Sequence, residues 1–82
     1  MKKIDTEGFS IRLDFLMREK GMTSRELAKR IGTNPETISE WIYERQQITR
    51  TSFISAICRE FNVKAEWLLY GRITNEKISN DN

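Results

Sequence analysis

Apolar residues recur at three- and four-residue steps along most of this chain, with polar residues between them. Phe9, Leu13, Leu16 and Met17 share one face of a helix that the pattern predicts from Phe9 to Lys20. Gly21 follows where helices commonly stop. In "TSRE", Thr23 stands as an N-cap with Glu26 three residues on, the spacing of a capping box. Leu27, Ala28 and Ile31 form the inner face of that second helix, and Gly32 ends it. A third helix starts at Asn34 as N-cap with Pro35 in the first helical position, where a missing N–H costs nothing. Its inner face is Ile38, Trp41 and Ile42. A fourth, from Arg50 to Phe61, turns Ile54, Ile57, Cys58 and Phe61 inward. A short fifth, from Lys64 to Tyr70, carries Trp67 and Leu68 and stops at Gly71. No stretch alternates for long enough to predict a strand.

The expected fold is therefore all-α, five short helices around one core. At 82 residues there is room for a single small domain. The pattern divides the chain into a flexible N-terminal segment (1–8), a folded domain (9–71) and a polar C-terminal tail (72–82). The junction between the second and third helices is the informative part. Two helices joined by about three residues, with glycine at the turn, make a helix-turn-helix. Ala28 sits where a larger side chain would hold the helices apart, and Gly32 permits a left-handed backbone.

Around that junction the residues resemble a known family. "MTSRELAKRIGTNPETISEW" is similar to the helix-turn-helix of the phage-repressor and Cro-like transcriptional regulators. "ICREFNVKAEWLLYG" is similar to the closing helices of the same lambda-repressor-like fold. The resemblance covers residues 9–71. It implies a compact five-helix DNA-binding domain whose third helix enters the major groove while the start of the second faces the DNA backbone. It also implies a homodimer on a near-palindromic operator in double-stranded DNA.

Carried onto this sequence, the base-reading positions are Asn34, Pro35, Glu36, Ser39 and Glu40. The backbone positions are Ser24, Arg25, Thr37, Tyr43, Arg45, Gln47 and Arg50. Members often carry glutamine at the start of both helices, where this chain has Ser24 and Pro35. The link between the third and fourth helices is also about two residues longer than in the shortest members. For dimerisation the candidates are Trp67, Leu69, Tyr70 and Ile73, which exceed what a short terminal helix needs for its own packing. Ile11 and Phe15 lie off the buried face of the first helix, and the expectation is coverage by the chain ends or contact with a partner.

Charge complicates that picture. The net charge is only +2, from 14 Lys and Arg against 12 Asp and Glu. The third helix is acidic, with Glu36, Glu40 and, just beyond, Glu44. Glu36 in the first turn favours the helix dipole by about 0.5 kcal/mol whatever the helix touches. Equally, a carboxylate accepts a hydrogen bond from the cytosine amino group. Affinity must then come from Arg25, Lys29, Arg45, Arg50 and helix-start N–H groups. The alternative reading keeps the fold but uses the acidic face to grip a protein, as an antitoxin, antirepressor or adaptor would.

An enzyme is the poorest fit. The chain has no histidine, one cysteine, and neither a metal-ligand cluster nor a phosphate-binding glycine loop. No cofactor, metal or small-molecule ligand is indicated. Cys58 reads as a structural thiol, and Trp41 and Trp67 as core aromatics. With neither a signal peptide nor a membrane span in the sequence, the expected location is the cytoplasm.

Overall fold

The computed structural model describes residues 4–71. Among these residues there are five helices: α1 (Thr6–Lys20), α2 (Ser24–Ile31), α3 (Pro35–Ile42), α4 (Thr51–Phe61) and α5 (Ala65–Tyr70). The α1 helix packs on α3 and α5, α2 on α3 and α4, and α4 on α5, so every helix contributes to one core. Phe9, Leu13, Leu27, Ile38, Ile57 and Leu68 are fully buried there.

The local signals act as their chemistry requires. The Thr23 hydroxyl accepts from the Glu26 N–H at 3.1 Å, and the Glu26 carboxylate accepts from the Thr23 N–H at 3.0 Å. Both halves of the capping box are therefore closed. Gly32 ends α2 at φ 85° and ψ 38°, and its N–H and that of Thr33 both donate to the Ala28 carbonyl at 2.9 Å. A Cβ at Gly32 would meet nothing within 4 Å, so the demand for glycine comes from the backbone angle alone.

The folded part begins earlier than Phe9. Residues 5–8, expected in the flexible end, are cap and helix. The Asp5 carboxylate accepts from the Gly8 N–H at 3.2 Å, and the Asp5 N–H donates to the Leu69 carbonyl at 2.9 Å. Ile4 packs against the core. Arg12 extends the same tie: its Nε donates to the Leu68 carbonyl at 2.9 Å, and its guanidinium lies 6.0 Å from the Trp67 ring centre. The tail, 72–82, and with it Ile73, lies outside the described residues.

Three packing features depart from the helical pattern of apolar residues. Ile48, in the polar link "ERQQITRTS", is only 1% exposed and belongs to the core. Ile54 and Cys58 pack against the core but are only half-buried, because their side of α4 lies at its margin. Ser10 is a buried polar residue. Its hydroxyl donates to the Trp41 carbonyl, with the Thr6 carbonyl as second acceptor at 3.2 Å. Trp41 is in the last turn of α3, where carbonyls lack intrahelical partners, so Ser10 closes that end against α1. Ser10→Ala leaves a buried carbonyl unpaired and should cost about 1–3 kcal/mol. A urea midpoint lowered at unchanged slope will show it.

Candidate nucleic-acid interface

The proposed reading helix is anchored from below. The Trp41 ring meets Phe9 edge-on at 6.1 Å and Phe53 at 5.8 Å, tying α3 to α1 and α4. Ile38 is fully buried beneath it. That leaves Glu36 exposed, with Ser39 and Glu40 half-exposed on the outer surface. Among the described residues no cation is paired with Glu36 or Glu40.

The start of α3 opens onto a cleft of about 450 Å³ whose polar lining includes Thr33, Asn34, Thr37, Gln47, Thr49 and Arg50. Residues from the turn, from α3 and from the α3–α4 link thus converge, with Trp41 and Phe53 as the floor. The Arg50 guanidinium stacks 5.1 Å from the Phe53 ring centre, which holds the charge at the cleft. Arg50 is also the N-cap residue of α4, but its side chain makes no cap bond.

Capping limits what Asn34 can read. Its side-chain oxygen accepts from the Thr37 N–H at 2.9 Å and from the Thr37 hydroxyl at 3.0 Å. Both lone pairs are engaged, and only the amide NH2 is left to donate. Asn34 therefore suits an acceptor on a base edge or a phosphate, not the two-point pairing with adenine that also needs its oxygen. The Thr37 hydroxyl is held as a donor by the same cap.

The proposed backbone residues do not all come together. Gln47 and Arg50 reach the cleft with Thr37, whereas Tyr43 and Arg45 line a separate, smaller cleft against α1. Arg45 adopts φ 55° and is 3.1 Å from the Glu7 carboxylate, so its charge is partly answered within the chain. Ser24 and Arg25 open α2, where the capping box engages the N–H groups of Thr23 and Glu26 only. Arg25 and Lys29 are exposed on that helix.

The expected dimer residues at α5 are largely spent on the fold. Leu69 is 8% exposed and part of the core, Trp67 lies under Arg12, and Tyr70 is half-buried against the core. Burial pushes the Cys58 thiol above its ordinary range, which keeps it protonated and a poor nucleophile. Among the described residues no group of His, Cys, Asp and Glu is placed to hold a metal ion. None of their helices is long and apolar enough to cross a membrane.

A glycine-stopped turn between two capped helices, with the second anchored by its inner face and open on its outer one, defines a helix-turn-helix domain. Residues 12–69 match the Cro/C1-type helix-turn-helix DNA-binding domain. The chain belongs to that family, one of DNA-binding domains and not of enzymes. It is 32% identical over 68 residues to the repressor protein CI of Enterobacteria phage phi80, covering 83% of this chain and 28% of that protein. The chain thus spans under a third of that relative's length. Its fold is similar to the SOS-response transcriptional repressor LexA from Eubacterium rectale, at a TM-score of 0.74 and 23% identity over 94% of this chain and 82% of that one. It is also similar to the P22 c2 repressor in complex with a synthetic operator, at 0.71 and 17% over 78% and 96%. SinR in its complex with SinI gives 0.67 and 22% over 76% and 60%.

Proposed function

We propose that this chain binds double-stranded DNA sequence-specifically and represses transcription by occupying an operator as a dimer. The observation that carries the reading is the polar cleft at the start of α3, where Asn34, Gln47, Thr49 and Arg50 converge beside an exposed helix face. In this reading α3 enters the major groove with Asn34, Pro35, Glu36, Ser39 and Glu40 toward the bases. Asn34 donates through its amide, and Glu36 and Glu40 accept from cytosine amino groups. Arg50 and Gln47 hold one phosphate run at the cleft, while Thr37, whose donors are taken by Asn34, shapes its wall. Arg25 and the free N–H groups of Ser24 and Arg25 at the start of α2 hold another. The phage phi80 repressor and the operator-bound P22 c2 repressor are relatives and fold neighbours whose names support this assignment.

Because the reading helix is acidic, most of the affinity has to come from phosphate contacts, so binding should be steeply salt-dependent. In a titration of fluorescent random-sequence duplex, log K should fall with log salt at a slope of about −0.9 per phosphate engaged. Binding indifferent to salt would contradict the reading.

A second reading has one specific observation behind it: Glu36 and Glu40 have no cationic partner among the described residues. An acidic face of that kind can grip a basic protein surface, and the SinR neighbour is in a complex with the SinI protein. If that is the function, Glu36→Gln and Glu40→Gln will weaken partner capture and leave DNA binding undetectable in both variants and parent.

A further inference from the structure

Asn34 is aimed before any ligand arrives. Pro35 after it restricts its backbone to the extended region, where it stands at φ −121° and ψ 162° as the N-cap of α3. The backbone N–H of Thr37 can only donate, so the side-chain atom 2.9 Å from it is the amide oxygen. That fixes which way round the amide sits. The Thr37 hydroxyl, 3.0 Å from the same oxygen, takes the second lone pair. What remains free is the amide NH2, on an exposed residue. Thr37 itself is half-buried in the wall of the cleft.

We infer that Asn34 reads guanine, and that Thr37 is the positioning residue that makes it do so. The inference rests on the proposed DNA reading and names the base at one position of its site. In the major groove guanine presents two adjacent acceptors, N7 and O6, and an NH2 group can donate to both. Adenine presents one acceptor beside an amino donor. An asparagine answers that donor only with its oxygen, and here Thr37 holds the oxygen. Thymine has a single acceptor next to a methyl group, and cytosine offers only a donor. A donor-only amide therefore ranks guanine first and cytosine last.

A phosphate would also accept from the amide, but the surroundings favour a base. Arg50 and Gln47 already bring a charge and a donor to the cleft, and a neutral amide adds little beside them. The next two residues of the chain are Pro35, which has no N–H, and Glu36, a carboxylate that only accepts. Neither can answer the acceptors of guanine. Because the cap fixes Asn34 in advance, little rotamer freedom is lost on binding. A mismatched base cannot be met by turning the amide over without breaking both bonds to Thr37.

The test is selection of enriched duplexes by the whole chain and by three variants, read one base pair at a time. Asn34→Asp keeps a capping oxygen and removes the donor. It should lose the preference at one position in each half-site, where the parent favours guanine over adenine by roughly tenfold or more. Thr37→Val matches threonine in size and frees one lone pair of Asn34. Guanine and adenine at that position should then differ by about threefold or less, with preferences elsewhere as in the parent. Thr37→Ser restores the hydroxyl and should restore the guanine. Any base but guanine at the Asn34 position of the parent would overturn the inference. So would a uniform loss of affinity in Asn34→Asp with no position changed, the mark of a phosphate contact. Thr37→Val reading like the parent, or Thr37→Ser relaxed as far as Thr37→Val, would remove Thr37 as the positioning residue. No enrichment by the folded parent would overturn the DNA reading and this inference with it. An enriched site without that guanine strikes this inference alone.

Discussion

Trp41→Ala should remove most of the folded population. The indole is 5% exposed, touches Phe9 and Phe53 edge-on, and its own carbonyl receives the Ser10 hydroxyl. Truncating a buried tryptophan costs about 3–5 kcal/mol. A small domain has little more than about 5 kcal/mol in total. The variant should therefore lose cooperative thermal unfolding by circular dichroism, and DNA binding with it. Trp41→Phe keeps an edge-on ring and should retain both in large part. An alanine variant that unfolds at the parent's urea midpoint would mean that α3 is not anchored through this residue.

Arg50→Gln should act oppositely, on affinity with stability preserved. The side chain is exposed and makes no cap bond at α4, so its loss leaves the helix start intact. A charged hydrogen bond to phosphate contributes about 1.5–3 kcal/mol, roughly a ten- to hundredfold change in Kd. The loss should be uniform across DNA sequences, and the salt slope should fall by about one unit. Arg50→Glu, which sets a carboxylate in the cleft, should weaken binding further. Arg45→Gln should cost less, since its guanidinium already pairs with Glu7 and the residue lines the separate α1 cleft. Equal losses at Arg45 and Arg50 would show that the two clefts do not divide the contacts as described. The measurement is a titration of each variant at two salt concentrations.

The helices were legible because their signals are local. Thr23 with Glu26, Asn34 with Pro35, and Gly32 at the turn each act within a few residues, and each closes in the structure as its spacing predicts. What escaped was set by neighbours far along the chain. Asp5 begins α1 because Leu69 and Arg12 hold that end, and no apolar period marks Thr6, Glu7 or Gly8. Ser10 is buried because the Trp41 carbonyl needs a donor. Ile48 had a visible signal, a lone apolar residue in a polar link, that helix periodicity passes over. The candidate site divides the same way. Asn34, Thr37, Gln47 and Arg50 share one cleft, while Tyr43 and Arg45, close to them in sequence, lie at another. Only the path of the link, fixed by burial of Ile48 and the positive φ at Arg45, separates the two.

The acidity of α3 also finds a physical place. Glu36 lies in the first turn, where a carboxylate favours the helix dipole, so its presence carries little information about bases. Glu40 lies in the second half of the helix, half-exposed and without a cationic partner among the described residues, so the dipole gives it no support.

Glu40 therefore offers the most direct test: selection of enriched duplexes from a random pool by the folded chain and by Glu40→Ala, at low and moderate salt. The account predicts a near-palindromic site for the parent, and for the variant the same site relaxed at one base pair in each half, with discrimination there reduced by about 1–3 kcal/mol. No enrichment above background by a folded parent would contradict it.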